Sequence, residues 1–443
     1  MSETQTDRYP DLPEGVAQRQ PLLWLNPGYG AGGHRAAGAP DPAVAEARFA
    51  RCAALLEDVF PELQASVGRL ESPLTAIPHF KDLIFPGESA GTWLLKRDDA
   101  LPVAGSVKAR GGFHEVLSLV EQIGTEAGFL QDDTDRRVLA DPRVRAILGR
   151  HTLAVGSTGN LGLGIGLIGA GLGLRAVVHM SADAKEWKKQ RLRKHGIDVV
   201  EHSGDYAAAV AAGRAIAQAD PMMHFIDDEH SEALFLGYAA AAHELQVQLR
   251  AAGRPVDAEH PLFVYLPCGV GGAPGGILYG LKRLFGRHVH GFFVEPTASP
   301  CMLVQLACGV QHPVSVYDVG LDNRTEADGL AVGLASPLVA PLMKSLLSGV
   351  FTTDEPIFYG DAWRLEAAES IYVEPSAATG LRGPTWVLSS PMGQAYLRRH
   401  GLETVMSRAS HVIWSTGGSL VPEDIRREFR ERGSRVASSS AAE

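Results

Sequence analysis

Apolar runs and amphipathic stretches alternate through the middle of the chain. The runs Thr152–Val155, Leu174–His179 and Ile197–Glu201 have the length and composition of strands. A small-residue helix from about Leu161 separates the first two, and a charged helix with one apolar stripe, Ala184–Lys194, separates the last two. This alternation is typical of βαβ units, which predict a parallel sheet covered by helices.

The same pattern continues toward the C-terminus. We predict the further elements from their periodicity in chain order: strand Phe225–Ile226, helix Ala233–Leu249, strand Leu262–Leu266, a helix opening near Gly276, and strands Gly291–Val294 and His411–Trp414. We therefore expect an α/β fold. With 443 residues, two lobes are favoured over one, each an open, mostly parallel sheet flanked by helices.

Charge and cysteine content exclude several classes of protein. The 41 basic and 51 acidic residues give a net charge of −10, and no basic cluster suggests a nucleic-acid partner. Four cysteines without a CxxC pair indicate reduced thiols rather than a disulfide framework or a zinc site. The longest apolar run, Leu161–Leu174, is shorter than the about 20 residues of a spanning helix. With no apolar leader, we expect a cytoplasmic protein without a membrane partner.

Glycine is in clear excess, with 49 of 443 residues, and much of it stands at strand-to-helix junctions. The segment Pro267–Gly276 (PCGVGGAPGG) follows a buried strand and opens a helix. Backbone N–H groups at such a junction, together with the helix N-terminus, suit a phosphate group. The loop lacks the GK[ST] of a Walker loop, and Pro274 occupies the third glycine position of a dinucleotide fingerprint.

A second junction, Gly156–Asn160 (GSTGN), has the same placement. Ser, Thr and Asn cap helices, so capping alone explains this loop. Four small polar residues nevertheless supply more donors than one cap requires, and such a loop can hold a carboxylate. Both interpretations stay open on local sequence.

A literal GxGxxG, Gly164–Gly169, lies just downstream, with Asp183 where a nicotinamide cofactor would need an acidic residue. A nicotinamide-dependent oxidoreductase is therefore one alternative function. The first glycine should form the strand–helix turn, whereas Gly164 lies inside the predicted helix. Close packing of a small-residue helix on the sheet explains the motif better.

Lys108 stands in SVKARGG, between a loop and an apolar helix. A lysine at such a junction, a phosphate-type glycine loop and an Asn-bearing polar loop are the parts that a pyridoxal phosphate enzyme needs. A lysine amine near a desolvated pocket can form a Schiff base and exchange it with a substrate amine.

These motifs resemble those of fold-type II pyridoxal phosphate enzymes, and within them the D-serine dehydratases (D-serine ammonia-lyases). The resemblance covers roughly residues 20–425. It is carried, in order, by WLNP, ESPL, SVKARGG, GSTGNLGLGIG, HMSADA, WKK, DDE, PCGVGGAPGG, VEP, ADGLAV and STGG. The sequence departs from the wider family at Val270, where a tetraglycine loop has glycine. A valine with negative φ leaves the N–H groups of such a loop in place.

The resemblance implies a role for each matching residue. Lys108 would carry the cofactor, Asn160 would bind the ring hydroxyl, and Thr416 would face the ring nitrogen. The substrate carboxylate would be held by Ser157, Thr158, Gly159 and Asn160, and the cofactor phosphate by the N–H groups of Gly269, Val270, Gly271, Gly272 and Ala273. Asp227 and Asp228 are candidates for tuning the proton transfer, or else form a solvated acidic turn.

The implied function is pyridoxal 5'-phosphate-dependent β-elimination of D-serine to pyruvate and ammonia. An L-serine or L-threonine dehydratase shares every cofactor residue, so local chemistry leaves that alternative open; a non-catalytic binding protein is disfavoured by the intact lysine. The implied fold is the two-lobed, tryptophan synthase β-like fold of a monomer, with no metal site assigned and a monovalent cation such as K⁺ left open. We expect a large cofactor-binding domain (21–110 and 231–425), a small substrate-loop domain (111–230), and mobile ends (1–20 and 426–443).

Overall fold

The computed structural model describes residues 9–31, 40–87, 91–204 and 206–439. The chain forms two compact units. The first comprises Met1–Ala39, Pro73–Ala100 and Ala241–Glu443, and the second comprises Pro40–Ser72 and Leu101–Ala240. Each unit has its own sheet.

The strands in chain order are β1 (Leu23–Leu25), β2 (Leu74–Ala76), β3 (Thr92–Arg97), β4 (Thr152–Gly156), β5 (Arg175–Ser181), β6 (Asp198–His202), β7 (Met223–Ile226), β8 (Leu262–Pro267), β9 (Val289–Pro296), β10 (Gly349–Thr353) and β11 (Ser410–Ser415).

The α-helices are α1 (Ala43–Val59), α2 (Pro78–Ile84), α3 (Lys108–Glu126), α4 (Pro142–Leu148), α5 (Asn160–Leu172), α6 (Glu186–Lys194), α7 (Tyr206–Gln218), α8 (Glu232–Ala239), α9 (Ala241–Ala251), α10 (Gly272–Phe285), α11 (Cys301–Cys308), α12 (Val339–Leu346), α13 (Glu355–Glu369), α14 (Pro375–Ala378), α15 (Gly383–Ser389), α16 (Pro391–His400) and α17 (Glu423–Ser439). Short 3-10 helices cover Pro61–Ser66, Asp98–Ala100, Arg136–Ala140, Gly286–His288, Tyr317–Val319, Asp328–Leu330, Thr379–Arg382 and Glu403–Arg408.

The first unit is built on a seven-stranded sheet with the order β1-β10-β9-β8-β11-β3-β2. The inner pairs are parallel and the two edge strands, β1 and β2, are antiparallel to their neighbours. Every residue of β8, β9 and β11 is buried. Parallel strands covered on both faces need continuous apolar runs, which is why their sequences are readable as strands.

The second unit has a four-stranded, wholly parallel sheet with the order β6-β5-β4-β7. Its central strand β4 pairs through Val155 with Val178 on one side and Ile226 on the other. The loop after β4 therefore emerges from the middle of the sheet, where parallel α/β folds place ligands. The two sheets confirm the predicted α/β class.

Two elements differ from their predictions. The helix expected over Ala233–Leu249 is two helices, α8 and α9, which meet at Ala240, where one unit gives way to the other. The polar segment from residue 426, expected to be mobile, is helical up to Ser439 as part of α17. This helix packs against α13 through a narrow stripe, Phe429, Gly433 and Ala437, which is too short to stand out in so polar a sequence.

The boundaries of the second unit also differ from the expected small domain. Residues 40–72 belong to it because α1 packs against α3, α8 and the 3-10 turn at Arg136–Ala140. Of the N-terminal segment expected to be mobile, residues 1–8 lie outside the described part, as do residues 440–443 of the tail. All four cysteines are free, as predicted. Within the described ranges, no helix is both long and apolar enough to cross a bilayer.

Candidate active site

Lys108 is the first residue of α3, at the loop–helix junction that the sequence predicts. Its Nζ donates a hydrogen bond to Oδ2 of Asp228 over 2.9 Å. Asp228 lies in the turn between β7 and α8, and its side chain is only 8% exposed against 21% for Lys108. The second carboxylate oxygen, Oδ1, is buried and has no hydrogen-bond partner among the described residues. The ion pair is thus partly shielded from water, and one carboxylate oxygen has no partner in the described structure.

Tyr238 forms one wall beside this ion pair. The Lys108 Nζ lies 5.9 Å from the centre of the Tyr238 ring. The ring can approach because residue 111 is glycine: a Cβ there would lie 2.4 Å from Tyr238 Cζ. Its hydroxyl is buried and, in the described structure, unpartnered. Burial raises the pKa of Tyr238 well above 10, and the charge of Asp228 adds to this.

Tyr206, at the start of α7, has the same electrostatic setting. Burial raises its pKa well above 10, and the nearby carboxylates of Asp228, Glu229 and Asp227 raise it further. Two neutral phenols therefore lie in the field of Asp228. A neutral phenol can donate or accept a hydrogen bond without adding charge.

Asp227 and Asp228, proposed together from the sequence, have different partners. Asp227 Oδ2 accepts hydrogen bonds from Arg214 Nη2 (2.7 Å) and Nε (3.1 Å), and its Oδ1 accepts from the Glu229 backbone N–H. Asp227 therefore holds the turn in shape, while Asp228 contacts the lysine.

The loop after β4 combines a helix cap with unused donors. The Ser157 hydroxyl accepts hydrogen bonds from the N–H groups of Gly159 (2.9 Å) and Gly162 (3.0 Å), and so caps α5. Gly159 has a φ of +141°, which an L side chain rarely adopts. Within the described part of the chain, neither the Thr158 hydroxyl nor its N–H has a protein partner. Capping thus accounts for Ser157 but not for Thr158.

Asn160, the first residue of α5, is oriented by a residue that sequence reasoning missed. Its Oδ1 accepts a hydrogen bond from Arg191 Nη2 over 2.9 Å. Arg191 in turn lies over the indole of Trp187, 5.2 Å from the ring centre. The buried Lys188 packs on Gly159, where a Cβ would lie 3.0 Å from its Cδ. The polar loop is therefore braced by α6.

The GxGxxG at Gly164–Gly169 lies inside α5, and its glycines serve packing, as predicted. A Cβ at Gly164 would lie 3.4 Å from Ala109 Cα, so this glycine brings α5 against the start of α3. A Cβ at Gly166 would lie 2.2 Å from Ile197 Cδ1. Asp183 is exposed. The motif gives no support to a nicotinamide site.

The glycine loop of the first unit joins β8 to α10, and all of its residues are buried. Gly271 caps α10 with a φ of +108°, whereas Val270 is not among the residues with positive φ. Five consecutive backbone N–H groups of this loop have no protein acceptor in the described structure. They belong to Gly269, Val270, Gly271, Gly272 and Ala273. Buried donors are nearly always paired, so five unpaired N–H groups at a helix start have the chemistry of an anion site.

Neighbouring segments hold this loop in place. The Val270 carbonyl accepts a hydrogen bond from the Ser336 N–H over 2.8 Å, and a Cβ at Gly269 would lie 3.3 Å from the Gly329 carbonyl oxygen. Glu295, at the end of β9, caps α11 by accepting from the N–H groups of Met302 (2.8 Å) and Leu303 (2.9 Å). Burial raises the pKa of Glu295 to about 8.

Thr416 follows β11 and is half-buried. Its hydroxyl has no hydrogen-bond partner in the parts of the chain that the structure describes. The next turn is fixed by Gly418, which has a φ of +143° and where a Cβ would lie 2.7 Å from the Glu374 N. The first unit thus carries the glycine loop and Thr416, and the second carries Lys108 and the 157–160 loop.

Known proteins match the chain over most of its length. Residues 70–393 match the family model described as pyridoxal-phosphate dependent enzyme. A probable D-serine dehydratase of Burkholderia lata is 56% identical over 442 residues, covering 99% of both chains. A second, from Cupriavidus pinatubonensis, is 58% identical over 97% of this chain and 96% of the relative.

Solved structures show the same fold. Diaminopropionate ammonia lyase from Escherichia coli, in a complex with D-serine, superposes with a TM-score of 0.69 at 18% identity, covering 94% of this chain and 97% of that one. At this identity the likeness bears on fold alone. The family model and the two dehydratase relatives together place this chain in the D-serine dehydratase family of pyridoxal-phosphate-dependent enzymes.

Proposed function

We propose that this protein catalyses the pyridoxal phosphate-dependent β-elimination of D-serine, which yields pyruvate and ammonia. The observation that carries the proposal is the set of five buried, unpaired N–H groups at residues 269–273, because such a cradle fits a phosphate monoester. The identity of the relatives supports D-serine as the substrate.

The residues present fit the cofactor. Lys108 offers the amine that carries it, the 269–273 loop offers donors for its phosphate, and Thr416 offers a neutral hydroxyl for its ring nitrogen. Arg191 holds the Asn160 side-chain oxygen, so Nδ2 is the atom of Asn160 that would donate to the ring hydroxyl. When bound, the cofactor withdraws electrons from the substrate Cα, which acidifies its proton.

Asp228 controls the proton on Lys108 Nζ. At 2.9 Å it accepts a hydrogen bond from the ammonium form and can take a proton from it, so that the amine becomes a nucleophile or a base. Partial burial of the pair shields this exchange from much of the bulk water. Burial keeps the nearby phenols of Tyr206 and Tyr238 neutral, so neither adds a charge beside Asp228.

The 157–160 loop orients the substrate carboxylate. Thr158 presents its N–H and its hydroxyl, while Ser157 keeps the loop in shape through the Gly159 and Gly162 N–H groups. A carboxylate bound by such fixed donors presents one face of Cα to Lys108, so the side on which the α-proton lies decides between the D- and L-isomers.

We also propose that the enzyme acts as a monomer in the cytoplasm, where its four free cysteines stay reduced. A monovalent cation such as K⁺ remains a candidate activator.

Product formation tests the proposal. The purified protein, supplied with pyridoxal phosphate, is assayed for pyruvate with D-serine and L-serine, and for the corresponding 2-oxo acid with L-threonine. We expect turnover of D-serine at a kcat/KM at least about 100-fold above that of L-serine, which equals roughly 2.7 kcal/mol of discrimination. Faster turnover of L-serine or L-threonine would instead establish an L-amino acid dehydratase.

A further inference from the structure

Three arginines of the second unit converge on one carboxylate far from Lys108. Glu121 Oε2 accepts from Arg48 Nε (2.8 Å) and Arg51 Nη2 (2.5 Å), and Oε1 accepts from Arg51 Nε (2.6 Å) and Arg136 Nε (2.9 Å). Burial raises the pKa of Glu121, but the three arginines outweigh it and bring the value to about 2. The carboxylate is therefore ionised at any physiological pH.

The charges at this cluster do not balance. Three guanidinium groups face one carboxylate, and adding Asp132, which lies in the same wall, still leaves an excess of one positive charge. Arg136 uses its Nη1 on the carbonyls of residues 131, 132 and 134. In contrast, Arg48 Nη2 and Arg51 Nη1 have no protein acceptor in the described structure. Two guanidinium donors thus remain for a ligand.

Arg48 is held by a histidine that stays neutral. His114 Nδ1 lies 2.7 Å from the Ala233 carbonyl oxygen, which only accepts, so Nδ1 carries the proton. Nε2 therefore accepts from Arg48 Nη1, also over 2.7 Å. Burial lowers the pKa of His114 to about 4. The guanidinium is consequently fixed before any ligand binds, which reduces the entropic cost of binding.

These groups line a cavity of about 500 Å³ that is open to solvent. Apart from Leu130, its other walls are polar: Ser118, Gln122, Thr125 and Gln131. The volume accommodates a phosphate ion or a small phosphomonoester. Lys108 and Glu121 are 13 residues apart on α3, which is about 20 Å along the helix axis, so the cavity is separate from the lysine.

We propose that this cavity, which we call the arginine cavity, is a binding site for a phosphate group. Guanidinium groups bind phosphate oxygens through paired, charge-assisted hydrogen bonds, and the arrangement at Arg48 and Arg51 supplies them on a fixed framework. Free phosphate and a phosphomonoester share this chemistry. The proposal does not depend on the reaction at Lys108.

Calorimetric titration of the cofactor-loaded protein tests whether the arginine cavity binds phosphate. Inorganic phosphate and glycerol phosphate are titrated separately, in chloride buffer at constant ionic strength, into the wild type, Arg51→Gln and Arg137→Gln. Arg51 is one-third exposed, so its replacement leaves the core intact. Arg137 is the matched control because it is next to Arg136 but pairs with Asp135 in solvent.

We expect one phosphate site in the wild type and in Arg137→Gln, with affinity at least about tenfold weaker in Arg51→Gln. Binding of glycerol phosphate would identify the ligand as a phosphomonoester, and binding of inorganic phosphate alone would identify the free ion. Equal affinity in Arg51→Gln, or no binding to the wild type at about 10 mM, overturns the proposal. Circular dichroism verifies that each variant is folded, and Arg51→Lys, which keeps the charge, should recover part of the affinity.

Discussion

Lys108 and Asp228 form a partly buried ion pair of 2.9 Å between residues 120 positions apart in sequence. The lysine begins a helix and the aspartate lies in the turn that follows a strand, so each is held by backbone on its own element. Asp228 can therefore take a proton from the lysine amine or return it, whereas the adjacent Asp227 is bound to Arg214.

Replacing Asp228 by asparagine tests this division of roles. Asp228→Asn keeps the size of the side chain but removes its charge, so we expect kcat/KM for D-serine to fall by roughly 100-fold, with a changed pH profile. Asp227→Asn is the control, and we expect a loss below about fivefold because its partner is Arg214. Equal losses in both variants would mean that the aspartates act only by holding the turn.

The glycine loop gives a second prediction. Gly271→Ala places a methyl group 2.5 Å from Met302 Cε and strains a φ of +108°, so the loop must shift. We expect the Kd for pyridoxal phosphate to rise by at least about tenfold. Gly286→Ala, at the other end of α10, has a φ of +57° with open space around its Cβ. With ψ at −128°, this backbone conformation is one that L residues rarely adopt, so the change should cost about 1–3 kcal/mol of stability. The Kd, measured by equilibrium dialysis, should stay unchanged.

The buried Glu295 gives a prediction about pH. Its folded-state pKa, raised by burial from 4.5 to about 8, exceeds that of the unfolded chain. The unfolded chain therefore loses this proton first as the pH rises, so folding stability from this group falls between about pH 4.5 and pH 8, by about 1 kcal/mol per pH unit. In Glu295→Gln, urea unfolding from pH 5 to pH 8 should lack this decline. An unchanged slope would show that Glu295 is already ionised in the folded protein.

The packing role of the GxGxxG is testable by a double substitution. Gly166→Ala brings a methyl group to 2.2 Å from Ile197 Cδ1 and should destabilise the protein by about 1–3 kcal/mol. Ile197→Ala creates space at the same point, so the double variant should be less destabilised than the sum of the two. Additive losses would contradict this contact, and stabilisation by NAD would restore the oxidoreductase alternative.

Much of the fold can be predicted from short stretches of sequence. Buried parallel strands are continuous apolar runs, and glycines mark the turns at Gly156–Asn160 and Pro267–Gly276. The position of Lys108 at a helix start followed from its loop and the apolar helix after it. Each of these features is determined within about ten residues of sequence.

The sequence alone does not predict contacts between residues that lie far apart along the chain. Arg191 contacts Asn160 across 31 positions, and Tyr238 reaches Lys108 only because Gly111 leaves room for its ring. No periodicity distinguishes Asp228 from Asp227. The sequence does not predict helix α17 because only three of its residues are buried, and one of them is a glycine.

The attachment point of the cofactor tests the central claim most directly. The cofactor-loaded protein is treated with borohydride, which reduces an imine to a stable secondary amine, and is then digested for peptide mass mapping. We predict the added mass on Lys108, and the loss of both this adduct and the visible absorbance in Lys108→Ala, while Lys194→Ala, at an exposed position, keeps both. An adduct on any other lysine, or a wild type that stays colourless with pyridoxal phosphate, would contradict the account.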